Sequence, residues 1–201
     1  MPPPRSPHRP RKTPRQQRAW RTRERILAAA AHVFAEHGYA AGTTDRIAER
    51  AGLSIGSLYQ YFPNKDAILV TLAGTHLDET ADIVRAHLGQ ARPLHEWLPA
   101  LTRALADLHG VSPRLHQVLF EQAPRPSELL ARFHEAEAEA TGLVATLLQD
   151  DPALTVPDPA RAARYVVALI ESLIHRFPGT DPAELSEEIV TIVSRYLEGG
   201  R

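Results

Sequence analysis

The stretch Leu53-Ser54-Ile55-Gly56-Ser57-Leu58-Tyr59-Gln60-Tyr61-Phe62 reads LSIGSLYQYF. Two tyrosines and a phenylalanine fall within four residues, a glycine sits near the start, and hydroxyls outnumber what a buried helix carries. Ser54 is a good N-cap for a short helix over 55–62, which Phe62-Pro63 ends. Just upstream, Thr43-Thr44 can cap another short helix over 44–51, with Ile47, Ala48 and Ala51 on one side and Gly52 as its stop. Two short helices joined by a tight glycine-containing turn make a helix-turn-helix, whose second helix can lie in a DNA major groove. Leu58 and Phe62, at i and i+4, can anchor that helix to a core. Ser54, Ser57, Tyr59 and Tyr61 then offer hydroxyls suited to phosphate oxygens. Gly56 removes a side chain where backbone would approach DNA, and Lys65 brings a cation to the start of the next helix. A buried aromatic cluster with incidental hydroxyls fits the same letters, and the spacing alone does not choose between them.

The flanking segments are helical as well. Ile26, Ala29, Ala30, Val33 and Phe34 repeat on one helical face, and Gly38 suits a left-handed helix cap. Asn64 can cap a helix carrying Ile68, Leu69, Leu72, Leu77 and Ile83. Pro93, Pro113 and Pro126 punctuate the rest of the chain, and Asp158-Pro159 and Asp181-Pro182 read as N-cap followed by first-turn proline. Asp181 with Glu184 adds a capping-box-like pair. About nine helices are expected, near 18–37, 44–51, 55–62, 65–88, 94–109, 113–121, 127–149, 159–177 and 182–197. The fold class is all-α.

Charge divides the chain. Residues 1–66 hold 12 Lys/Arg against 5 Asp/Glu, and residues 67–201 hold 11 against 19, within a net charge of −1. A basic front suits a polyanion; a solvated basic tail is the plainer account. Residues 1–15 carry six prolines and five basic residues with no acid, so residues 1–16 are read as a disordered basic arm. That arm either adds attraction to phosphates or serves as a soluble leader. There is no cysteine, hence no disulfide frame, and the cytoplasm is the expected compartment. No apolar run reaches membrane-spanning length, and His32 interrupts the short run Ile26–Phe34 that mimics a signal-peptide core.

The segment Thr22 to Leu69 closely resembles the DNA-binding domain of the TetR family of bacterial transcriptional regulators. The resemblance rests on Arg25-Ile26-Leu27, Phe34-Ala35-Glu36, Gly38-Tyr39, Thr43-Thr44, Ile47-Ala48, Ala51-Gly52, Gly56, Leu58-Tyr59, Tyr61-Phe62 and Lys65. It covers about a quarter of the chain; the later helices match only in number, length and order. It implies that Thr44, Tyr59, Tyr61 and Lys65 contact the phosphate backbone and that Ser54, Ile55, Gly56 and Ser57 face the groove. Position 55 is often long and polar or basic in that family. Ile55 either rests against a thymine methyl or packs inward and reads nothing.

The resemblance also implies a helical ligand-binding and dimerisation domain over 65–201, behind a DNA-binding domain over 17–64. The broad apolar faces of the last two helices fit a two-fold four-helix interface or burial within one chain. Their candidates are Val166, Val167, Ile170, Leu173 and Ile174, then Leu185, Ile189, Ile192, Val193, Tyr196 and Leu197. Trp97, Leu101, His116, Phe120, Phe133, His134 and Tyr165 are candidates to line a pocket for an apolar or aromatic effector, though each also suits plain core or surface.

Ten histidines are scattered along the chain, with no HExxH and no pair at i, i+4 on one helix. Signatures of serine hydrolases, P-loops and dinucleotide sites are missing. Glu135, Glu137 and Glu139 read as a solvated face. Neither metal, cofactor nor enzyme activity is expected. The expected function is a ligand-responsive repressor binding a palindromic double-stranded DNA operator as a homodimer, released by a small-molecule effector. The alternatives are an activator or effector-independent DNA binder, or a helical small-molecule-binding protein that has lost DNA binding.

Overall fold

A computed structural model describes residues 14–177 and 179–199. These form nine helices and no strand: α1 (Pro14–Ala41), α2 (Thr44–Arg50), α3 (Ile55–Tyr59), α4 (Lys65–Leu88), α5 (Leu94–Gly110), α6 (Pro113–Glu121), α7 (Ser127–Asp150), α8 (Pro159–Arg176) and α9 (Pro182–Glu198). The basic arm expected through residue 16 falls outside the described residues for 1–13, while 14–16 already belong to α1. The second short helix, expected to reach Phe62, stops at Tyr59 instead. The chain must leave helical geometry before Pro63, whose ring disfavours it at the preceding residue.

Helix starts follow local chemistry. Thr43, Ser54, Asn64, Asp158 and Asp181 each accept a backbone N–H of the helix they precede. Gly38 has φ 70° and breaks the helical geometry within α1, a conformation that penalises any side chain. Gly42 is required for a different reason. A Cβ built there lies 2.5 Å from a Phe34 ring carbon and 2.7 Å from the Gly38 carbonyl oxygen. Gly42→Ala is therefore expected to destabilise the chain by about 1–3 kcal/mol through overpacking. Urea unfolding checks it, and an unchanged midpoint would show that Phe34 moves aside freely.

Two main cores result. The front one joins Ile26, Phe34, Ile47, Leu58 and Phe62 to Ile68 and Leu69 of α4 and Val118 of α6, all buried. The apolar core thus runs past residue 64, and α6 lies along α1. The back core packs Trp97, Leu98, Val144, Val166, Ile174, Ile189 and Val193 between α5, α7, α8 and α9.

That packing covers most of the residues expected at the interface. Val166, Ile170, Ile174, Leu185, Ile189, Val193 and Leu197 are buried within the chain itself. Val167 and Leu173 are half-buried against the same core. Periodicity identifies an apolar stripe but not which neighbour covers it. Only Ile192 (40% exposed) and Tyr196 (46%) remain open among those candidates, joined by Tyr165 (57%) and Phe177 (50%). Tyr165 and Tyr196 meet edge to face, 6.3 Å between ring centres.

Candidate functional site

The front of the molecule presents α3 to solvent. Leu58 is fully buried and is the residue that fastens this five-residue helix to the core. Ile55 points outward at 37% exposure and Tyr59 at 51%, so Ile55 does not pack inward. Ser54 accepts the Ser57 N–H, and their hydroxyls are 2.8 Å apart. Thr44 Oγ1 lies 3.2 Å from the Tyr59 hydroxyl. A Cβ at Gly56 would meet nothing within 4 Å, so packing inside the chain gives no reason for this glycine. Tyr61 is half-buried against the front core. Lys65 Nζ donates to the Tyr39 carbonyl at 2.9 Å and sits 4.0 Å over the Tyr39 ring, whose hydroxyl bonds Asp66. Lys65 thus ties α4 to α1 while keeping further N–H donors. Thr44, Ser54, Ile55, Gly56, Ser57 and Tyr59 gather on one accessible side; Tyr61 and Lys65 are more engaged with the scaffold.

Behind the head, a cavity of about 130 Å³ opens between α4, α5, α7 and α8. Leu77, Val84, Leu101, Leu105, Phe133, Val144 and Ile170 give it apolar walls, with Thr80, Glu137, Glu139 and Glu171 as polar members. Burial, and then the nearby Glu137, raise the Glu171 carboxyl above its ordinary pKa. Glu139 bonds Arg85 at 3.1 Å. Glu137 and Glu139, expected on a plain solvated face, thus border the cavity, while Glu135 does not.

Of the pocket candidates, Leu101 and Phe133 line this cavity. Trp97 is instead core, with its indole N–H buried and unpartnered among the described residues. His134 lines a shallow outer groove between α7 and α8, and Tyr165 is on the exposed α8–α9 face. His116 and Phe120 stand beside the cavity rather than on its wall. Large side chains in the middle helices are a poor guide because size does not say which way a helix face turns.

The histidines are the feature that spacing conceals. His76 of α4, His109 of α5, His116 of α6 and His175 of α8 converge, and His76, His109 and His175 line the cavity. His76 Nε2 and His109 Nε2 are 3.2 Å apart. His109 and His175 each hold Nδ1 2.7 Å from a carbonyl one turn back, those of Leu105 and Glu171. His116 is 4% exposed, and both its ring nitrogens lack a hydrogen-bond partner among the described residues. Burial above all, then the neighbouring imidazoles, lower these pKa values from 6.5: His76 to about 4, His109 to about 3, His116 to about 2. The intervals between these four residues match no local motif.

Helix α6 joins the two regions. His116 and Phe120 face the histidines, while Leu115, Val118 and Leu119 pack into the front core. Tyr39 N–H donates to the Gln122 side chain just past α6, adding a polar tie to the head.

Comparison with known proteins places this geometry. Residues 26–72 match the model for bacterial regulatory proteins of the tetR family, and residues 93–197 match the tetracyclin repressor-like C-terminal domain. The HTH-type transcriptional activator FasR of Mycolicibacterium smegmatis is 29% identical over 150 residues, 74% of this chain and 67% of that one. A TetR transcription regulator from Haloarcula marismortui superposes with a TM-score of 0.71 at 23% identity, covering 90% of this chain and 98% of that one. The regulator FadR from Bacillus subtilis, solved in complex with stearoyl-CoA, superposes at 0.64 with 20% identity over 85% and 96% of the two chains.

Proposed function

The chain belongs to the TetR family of bacterial regulatory proteins and is a DNA-binding transcriptional regulator; from that premise we propose that it acts in the cytoplasm as a homodimeric repressor released by an apolar effector. The observation that carries the reading is α3 itself. A five-residue helix held by one buried leucine presents Ile55 and Tyr59 to solvent beside the hydroxyls of Ser54, Ser57 and Thr44. Such a helix adds little to the core and suits a major-groove reader. Phosphate contacts through Tyr59 and Thr44 would fix the register, and Ile55 would meet a thymine methyl. Tyr61 and Lys65 would serve mainly by holding α3 and α4 in place, with the spare Lys65 donors turned to phosphate.

A second copy would cover Tyr165, Phe177, Ile192 and Tyr196, the large apolar groups left open on and beside α8 and α9. Two-fold symmetry then calls for a palindromic site with half-sites about 34–36 Å apart. The effector would enter the cavity beneath Leu101 and Phe133. At about 130 Å³ the cavity matches a single apolar ring. A larger effector must part α4 from α7 and α8, and α4 and α6 both continue into the front core. That is a physical route from occupancy to recognition-helix spacing, a two-state shift biased by the ligand's preference for one state.

The test uses DNA from immediately upstream of the chain's own gene with excess competitor DNA. The intact chain should footprint a palindrome, and Tyr59→Ala should weaken binding by at least about tenfold, as expected for a hydrogen bond to a charged group. Transcription from that DNA in vitro gives the sign, which matters because FasR is an activator. An apolar ligand panel that includes stearoyl-CoA then probes release. No specific site even in random-sequence selection would overturn the reading in favour of a ligand-binding protein without DNA function.

A further inference from the structure

We propose that His76, His109 and His116 form a binding site for one divalent transition-metal ion of the zinc type, set against the cavity where α4, α5 and α6 meet. One nitrogen from each ring lies within 4.8 Å of the others, and His76 and His109 Nε2 are already 3.2 Å apart. Two nitrogens about 2.0–2.1 Å from a tetrahedral zinc ion stand roughly 3.3 Å from each other. One pair is therefore spaced for the ion, and His116 needs a side-chain adjustment on the order of 1 Å to complete the set.

The surroundings favour ligation over a simple core histidine. His109 Nδ1 is 2.7 Å from the Leu105 carbonyl, so that nitrogen carries the proton and Nε2 presents a lone pair to the cluster. A carbonyl accepting the second ring N–H is the outer partner that metal-bound histidines ordinarily have. His175 has the same bond to the Glu171 carbonyl, and its ring lies 4.8 Å from that of His116. His116 is the decisive residue. Its two nitrogens are buried without a partner among the described residues, an arrangement that is unfavourable unless something binds them. In the metal-free chain the His76–His109 contact is a single N–H···N bond. On binding, His76 moves that proton to its own Nδ1, and the pair then donates two nitrogens with no net change in protonation.

The chemistry selects the ion class. Three neutral imidazoles and no thiolate suit zinc, cobalt, nickel or copper, and do not suit calcium or magnesium. Three protein ligands leave a position open, as in zinc sites that exchange a fourth ligand. Because His76 and His109 also line the cavity, the ion would sit where a bound molecule can reach it.

The test is a Co²⁺ titration of the full, metal-stripped chain, followed by visible absorption and then by Zn²⁺ displacement. One tight Co²⁺ per chain with a tetrahedral-type absorption, removed by Zn²⁺, is expected. His109→Ala and His116→Leu should each weaken binding by at least about 100-fold. His134→Ala, altered on the outer α7 surface, should leave it unchanged. Far-UV circular dichroism identifies variants that fold, and the thermal midpoint of the intact chain, but not of His116→Leu, should rise with Zn²⁺. No stoichiometric binding by the intact chain, or full binding by folded His116→Leu, overturns the proposal.

Discussion

Acidifying the metal-free chain from pH 7 to about pH 4.5 is expected to destabilise it strongly. The unfolded chain takes protons on His76, His109 and His116 below an ordinary histidine pKa of about 6.5. The folded chain resists them until about pH 4, 3 and 2, chiefly because the rings are buried. Their contribution is therefore fully present above about pH 6.5 and is lost as pH falls towards those lower values. Each such group removes about 1.4 kcal/mol per pH unit within that window. Three together give a slope near 4 kcal/mol per unit between about pH 5.5 and 4.5. His76 is partly exposed, which lessens its share. His175 is shifted the same way by burial and by Arg125. Glu171 acts oppositely, since its raised pKa lets the folded chain bind a proton early, but it is one group against four. A domain holds about 5–15 kcal/mol in total, so this loss is a large share of it. Urea unfolding at pH 7.5, 6.5, 5.5 and 4.5, in chelator, measures the slope; a flat profile would mean that the rings are solvated and that their convergence is loose. His116→Leu should be more stable than the parent at pH 5 and show a shallower slope.

That acid sensitivity comes from the part of the molecule that is least legible in the sequence. Helix ends are readable because they depend on near neighbours: Ser54 and Asn64 accept N–H groups three residues on, and Asp181 those two and three on. The starts of α5, α6 and α7 have no capping side chain, and α5 shows the limit. Helix α5 begins after Pro93, which has no capping side chain, and its Leu94 N–H is taken by Asp151, buried and distant in sequence. The histidine cluster has the same origin, since four helices each supply one ring and no interval between them is constrained locally. The apolar stripes of α8 and α9 illustrate a related failure. Hydrophobic spacing shows that Val166 and Ile189 are covered, but the chain and an absent partner leave the same periodic signature. The head is legible because it is short, locally capped and built from consecutive elements. Its dependence on Val118 of α6 is not.

Leu58→Ala should strongly weaken specific DNA binding without unfolding the rest of the chain. Leu58 and Ile55 lie three residues apart on the same five-residue helix, yet one is 0% exposed and the other 37%. Truncating a buried leucine costs about 2–5 kcal/mol, and Leu58 is the lone buried residue within α3. Phe62 is also buried but lies beyond the helix, so it cannot hold the orientation of Ile55 and Tyr59 alone. A loosened α3 must be reordered on every binding event, and 2–5 kcal/mol of lost order corresponds to a fall in affinity of about 30- to 5,000-fold. The back core, built on Trp97, Leu98, Val166 and Ile189, shares no member with the front core and should keep its helicity. Ile55→Ala is the contrasting change. It leaves α3 in place, alters stability by less than about 0.5 kcal/mol as exposed substitutions do, and relaxes preference at one A·T pair in each half-site. Hydrogen exchange at α3 separates the two effects: protection is lost in Leu58→Ala and kept in Ile55→Ala. If Leu58→Ala bound its operator with undiminished affinity, the orientation of α3 would have to be set by the DNA rather than by the core. A preformed reader would then give way to one that orders on contact.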